Sequence, residues 1–150
     1  MMMDRSIQAV AALAIVVAPA VTGCAHSGVV AQGRPAAPGE SFGEVEVVEI
    51  SPPDGSGLAR GQEVEVTARV RYDLQAADRG SVTLVVQDQR GRSLLRPQPE
   101  AVVKRGPGEV TLKGAFKVPH DASGVDVLFP LGAYHSGSTR SVAAVHYGVE

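Results

Sequence analysis

The side chains of this chain that could carry out chemistry or hold a metal are few. There is a single thiol at Cys24, there are imidazoles at His26, His120, His135 and His146, and Ser136 and Ser138 lie close to His135. A thiol acts as a nucleophile or metal ligand through its thiolate, and one cysteine excludes an intrachain disulfide. A serine beside a histidine can be activated for nucleophilic attack. Here, however, both serines sit in a Gly- and Ser-rich run that reads as a turn, and the chain has no G-x-S-x-G elbow. Zinc sites need His or Cys at short fixed spacings, and neither H-E-x-x-H nor a pair of cysteines occurs. Asp54-Gly55-Ser56-Gly57 offers one carboxylate where a calcium loop needs several. The three methionines, soft ligands suited to Cu(I), occupy positions 1–3. These patterns predict no catalytic residue, no cofactor site and no metal site.

The setting of Cys24 is informative. Residues 1–6 carry Arg5, and residues 7–21 are apolar except for Gln8. That run falls short of the roughly 20 residues that span a bilayer, and Pro19 interrupts it. A charged start, a short apolar stretch and then small residues form the layout of a secretory signal. Val21-Thr22-Gly23-Cys24 resembles the lipobox of bacterial lipoproteins: an aliphatic residue, a small residue, Gly or Ala, then Cys. The resemblance implies that residues 1–23 are a lipoprotein signal peptide and that the Cys24 thiol accepts a diacylglyceryl group. It further implies that cleavage leaves Cys24 as the first residue, often with another acyl group, such as palmitate, on its amine. A second chain matters because a single acyl chain holds a protein to a bilayer only marginally. The expected location is the cell membrane or outer membrane, facing the periplasm or exterior. Ala25 stands where some diderm lipoproteins carry the Asp that retains them at the inner membrane.

Residues 24–43 have no sustained period and are rich in Gly, Pro, Ala and Ser, which predicts a flexible tether stiffened locally by Pro35 and Pro38. His26 is a solvated polar residue of that tether. From Glu44 the pattern becomes period two, the signature of strands. Glu44–Ile50 alternates charged with apolar residues, and residues 51–61 are a turn-rich connection. In Gln62–Tyr72 one face is Val64, Val66, Ala68, Val70 and Tyr72; the other is Glu63, Glu65, Thr67, Arg69 and Arg71. Such a strand has one wet and one buried face.

Further strands are expected at Ser81–Gln87, Arg92–Arg96, Ala101–Arg105, Glu109–Val118, Val125–Phe129 and Ser141–Glu150. The expected breaks are a turn around Asp78-Arg79-Gly80, a hairpin loop at 88–91, a tight turn at Gly106-Pro107-Gly108 and a strand end at Pro130. Pro97 and Pro99 forbid a regular central strand where they stand. His146 falls on the surface of the last strand.

Seven or eight short strands with no amphipathic helix predict an all-β fold, an antiparallel sandwich over residues 44–150. The stretch SPPDGSGLARGQEVEVTARVRY resembles the opening of bacterial immunoglobulin-like or fibronectin-type-III-like modules, which implies that architecture and no particular binding site. The chain lacks the two cysteines and core Trp of true immunoglobulin domains. With a net charge of −2, three Lys, eleven Arg and no Trp, nucleic acid is not an expected partner. The outer charges of the strands, including Lys104, Arg105, Lys113 and Lys117, read as solvated sheet faces.

The sequence therefore predicts a non-catalytic, lipid-anchored envelope protein whose sandwich is a binding or interaction module for an envelope protein partner, or a structural accessory subunit of an envelope complex. The alternative is a periplasmic lipoprotein that binds a small ligand or copper. Periplasmic copper-resistance proteins resemble it in pairing a compact β-sandwich with a Pro-x-Asp-Gly turn. As a family they use a His at the mature N-terminus, and here that position belongs to Cys24.

Overall fold

A computed structural model describes residues 42–134 and 139–150. Cys24 and the lipobox-like residues before it, the expected tether up to residue 41, and His135, Ser136 and Ser138 lie outside the described residues. The described chain is all-β: β1 (Gly43–Ser51), β2 (Glu63–Thr83), β3 (Val85–Asp88), β4 (Glu100–Lys117), β5 (Gly124–Ala133) and β6 (Thr139–Gly148), every pair of them antiparallel. Among the described residues no helix is long and apolar enough to cross a membrane.

Six strands make a sandwich of seven strand segments, because β2 and β4 each serve both layers. Glu63–Leu74 of β2 lies between β1 and Gly106–Lys117 of β4, which gives a three-stranded layer. Four residues, 75–78, then bulge out of β2 opposite Arg105 alone. Beyond the bulge, Arg79–Thr83 pairs with Glu100–Lys104 on one side and, from Gly80 onward, with β5 on the other. β3 carries the same register onward along β5, and β6 pairs the far side of β5. The second layer thus runs β4, β2/β3, β5, β6. This is an immunoglobulin-like sandwich of three and four strands.

Alternation fills the space between the layers. Val64, Val66, Ala68 and Val70 are buried, as the two-faced pattern of that strand predicts, and Glu63, Glu65, Arg69 and Arg71 are exposed. Val82, Leu84, Val86, Val125, Val127, Phe129, Leu131, Val145 and Tyr147 meet them from the second layer in one core. Gly114 leaves room for side chains packed across the core: a Cβ there would sit 2.6 Å from Leu95 Cδ2 and 3.1 Å from Leu84 Cδ2. β1 keeps its apolar face inward despite the doubled Val47-Val48, because its register shifts between Val47 and Glu49 and returns Ile50 to the core side.

Three expected breaks form differently. Gly106-Pro107-Gly108 is not a turn: it continues β4 opposite Leu74, Asp73 and Tyr72. β4 is an edge strand, and an edge strand tolerates a proline. Gly106, with φ +97°, takes the conformation that L side chains avoid at the point where β4 passes between layers. The residues around Asp78-Arg79-Gly80 likewise bend a continuous strand and do not reverse it. Pro130 does not end β5, which runs on to Ala133 with Pro130 opposite Val142. What Pro130 does interrupt is the neighbouring ladder. The register passes unshifted from Val82↔Leu131 to Val85↔Leu128, which sets Pro130 opposite Thr83, where β2 ends. Pro130 has no N–H to give at that point, and the Leu84 N–H turns to the Pro99 carbonyl at 2.8 Å. The strand expected at Arg92–Arg96 shrinks to one bridge, Gln87↔Ser93.

Candidate functional site

Three places gather polar or accessible groups. The first is a clasp at one end of the sandwich, between the loop after β3 and the loop before β5. Asp88 is 1% exposed, the one buried charged side chain among the described residues. Its Oδ1 accepts from the Arg90 and Arg92 backbone N–H groups at 2.9 Å each, and its Oδ2 accepts from Arg92 Nε at 2.5 Å. The Arg92 guanidinium also donates to both oxygens of Asp121, at 2.8 and 3.0 Å, and Arg90 Nη1 donates to Asp121 Oδ2 at 2.7 Å. Burial pushes the Asp88 carboxyl up, but the Arg92 N–H, the Arg92 guanidinium and the Arg90 N–H together hold it below its ordinary 3.8. The Arg92 hydrogen bond holds Asp121 low as well, against a smaller opposing effect of burial. Every acceptor here is occupied by a donor of the same cluster, so the clasp fixes two loops and presents no free group to a substrate.

The second is a shallow groove of about 250 Å³ over β1 and β2, lined by Glu44, Val45, Glu46, Arg71, Tyr72, Asp73 and Pro107. Arg71 is already paired with Glu46 at 3.4 Å, and the Tyr72 ring covers Gly108 across the strand. The groove contains no serine, threonine, cysteine or lysine and no imidazole.

The third is a whole sheet face, and it stands out by contrast. The outer face of the three-stranded layer is laced with charge: Arg69 reaches Glu49 at 3.1 Å and Glu109 at 3.5 Å, and Arg71 reaches Glu46. Opposite charges across strands are the ordinary finish of a wet face. The outer face of the four-stranded layer is different. By alternation it consists of Val102 on β4; Ser81, Thr83, Val85 and Gln87 on β2 and β3; Leu128, Pro130 and Gly132 on β5; and Val142 and Ala144 on β6. None of these belongs to the buried core or packs against it. Val102, 48% exposed, is the one exposed large hydrophobic side chain among the described residues.

Charge is confined to the margins of this face. Arg79 and Lys104 face each other across β2 and β4 at one end, with Arg79 over the Tyr134 ring at 4.9 Å. At the other end Asp126 and His146 are cross-strand neighbours joined at 2.7 Å between Oδ1 and Nδ1. Glu100 lies at the β4 edge. His146 is exposed, as its place in the alternation predicts.

The structure does not bring the sequence-predicted residues into one site. His120 lies against Gly61 in the turn before β2, and His146 is paired on the outer face of β6. Among the described residues no group of three His, Cys, Asp or Glu side chains could hold a metal ion. The uncharged face was not singled out from sequence, although a signal exists. Val125, Val127, Leu128, Phe129, Pro130 and Leu131 are apolar on both faces of β5, which a strand with a wet outer side would not be.

No protein-family model and no curated protein matches the chain. Among solved structures it is similar to part of a beta-glucuronidase from glycoside hydrolase family 2, with 10% identity and a TM-score of 0.48 over 71% of this chain and 11% of that one. It is also similar to the apo-form Calx CBD1 domain, with 16% identity and a TM-score of 0.36 over 73% of this chain and 99% of that one. The chain thus spans about a tenth of the glucuronidase.

Proposed function

We propose that this is a lipid-anchored envelope protein that works by binding a protein partner through its β-sandwich, without catalysis. The observation that carries the binding role is the contrast between the two outer faces. One is finished with ion pairs for water, and the other presents Val102, Val85, Leu128, Pro130, Val142 and Ala144 with no charge among them. The largest contiguous apolar patch on a soluble domain is often its interaction site. The anchor rests on the lipobox-like Val21-Thr22-Gly23-Cys24 behind a secretory apolar run, and the tether would hold the sandwich away from the bilayer.

The anchor is tested by replacing its acyl acceptor. Cells expressing the chain with Cys24→Ala and fed an alkyne fatty acid should lose the label from this protein and accumulate an uncleaved precursor of higher mass. Equal label in the wild type and the variant would refute lipidation at Cys24.

A further inference from the structure

We propose that the uncharged outer face of the four-stranded layer binds a second copy of this chain, the two layers packing face to face with their strands antiparallel. The inference rests on the partner-binding reading above and names the partner.

The surface bears short side chains, with Gly132, Ser81, Ala144 and Pro130 among its outward positions. Sheets pack face to face about 10 Å apart when such side chains interdigitate. Four strands spaced about 4.8 Å apart, over seven residues rising about 3.3 Å each, give roughly 450 Å² per copy. Two copies would bury roughly 900 Å², below the standard size of a specific interface and suited to a weak one. Confinement of tethered copies to one membrane would supply the effective concentration that a weak contact needs.

Charge selects the occupant. The two ends of the face differ in charge: Arg79 and Lys104 stand at one end, Asp126 beside His146 at the other. Other described charges near these ends are paired, Arg105 with Asp78 at 3.1 Å, and Arg90 and Arg92 with Asp121 and Asp88. A two-fold axis in the plane of the interface, perpendicular to the strands and through the Thr83–Pro130–Val142 row, reverses the second copy along the strands and brings the two exposed Glu100 side chains together at the open β4 edge, where water and salt screen their repulsion. It sets Arg79 of one copy over the Gln87–Asp126 end of the other, twice by symmetry. A uniformly acidic or basic partner would meet repulsion at one end.

The test is photo-cross-linking of the full chain in the envelope of expressing cells. p-Benzoylphenylalanine at Leu128 should give a product of twice the chain mass, and the same probe at Thr67, on the charged face, should not. Arg79→Glu and Asp126→Lys should each cut that product roughly five-fold, since exposed pairs are individually modest and each counts twice here. The double exchange should restore it to within roughly two-fold, a rescue that damage to folding would not produce. Singles that leave the product unchanged, or a double variant that does not recover, would overturn the antiparallel dimer. Products at Leu128 that contain only another protein would overturn self-association and leave the partner-binding reading standing. No product from Leu128, Val142 or Val102 would end both.

Discussion

Two residues show how local chemistry sets the response of this sandwich to pH. Asp88 is held below its ordinary value by donors from Arg92 and Arg90, and Asp121 is held low by Arg92. A carboxyl depressed by folding contributes stability that is present above its unfolded value and is lost as pH falls through its folded one. The clasp should therefore weaken only in acid below about pH 4. Asp88→Ala should lower the thermal midpoint at pH 7 more than Asp121→Ala does. The first leaves an arginine N–H and two backbone N–H groups without their buried acceptor, whereas Asp121 is about half exposed. Equal effects in thermal melts would show that the burial of Asp88 does not matter.

Tyr147 works at the opposite end of the scale. Its ring is fully buried, and its hydroxyl donates to the Pro52 carbonyl at 2.6 Å. Burial, and secondarily the negative charge of Asp54, push it up from 10.0 to about 12. A raised acid favours the folded state below pH 10, and that contribution drains away between pH 10 and about 12. Two units correspond to about 2–3 kcal/mol. Tyr147→Phe should cost about 1 kcal/mol at pH 7 through the lost hydrogen bond. It should also flatten the alkaline fall in stability; denaturant curves at pH 8 and pH 11 on both proteins would reveal an unchanged slope if this is wrong.

At the scale of elements, the two-faced strand is what the sequence made most legible. Residues 63–72 alternate without exception, and each inward position they predict is buried or half-buried. Val66 is fully buried and Arg69 is about half exposed. Val66→Ala should cost roughly 1–3 kcal/mol, and Arg69→Ala about half a kcal/mol or less, because removing packed methyls leaves a cavity while an exposed charge loses little. The reverse ranking in chemical denaturation would mean the strand phase is off by one residue.

The bends were misread for a common reason. Gly106-Pro107-Gly108 and Asp78-Arg79-Gly80 carry the residue types of a reversal, and a strand that switches layers needs the same backbone freedom. Composition cannot distinguish a bend from a turn; only the pairing partner can, and β2 and β4 remain paired along both halves. Pro130 misled in the same way. Proline forbids one hydrogen bond, on one side, and β5 gives that bond up on the side where β2 ends while keeping its partner on β6. By contrast, the doubled Val47-Val48 in an otherwise alternating β1 is a bulge that can be read from sequence.

At the scale of the molecule, the sandwich has two outer faces of opposite character around one core, and that asymmetry was legible only in fragments. β5, apolar on both faces, hints at it, but the uncharged face is assembled from four segments between Ser81 and Ala144 that meet only in the fold. Its physical consequence is a difference between neighbouring residues. Val127 is fully buried and contacts the core, whereas Leu128 points outward and belongs to no core contact. Burying an unpaired ammonium costs several kcal/mol, comparable to the whole stability of a small domain. Val127→Lys should therefore abolish cooperative unfolding. Leu128→Lys leaves its charge in water and loses only part of one side chain's burial, so it should keep the cooperative transition with a shift of about 1 kcal/mol or less. Circular dichroism melts of the two variants decide it. If Leu128→Lys unfolds the protein as Val127→Lys does, Leu128 is part of the core, and the apolar outer face it helps to define does not exist.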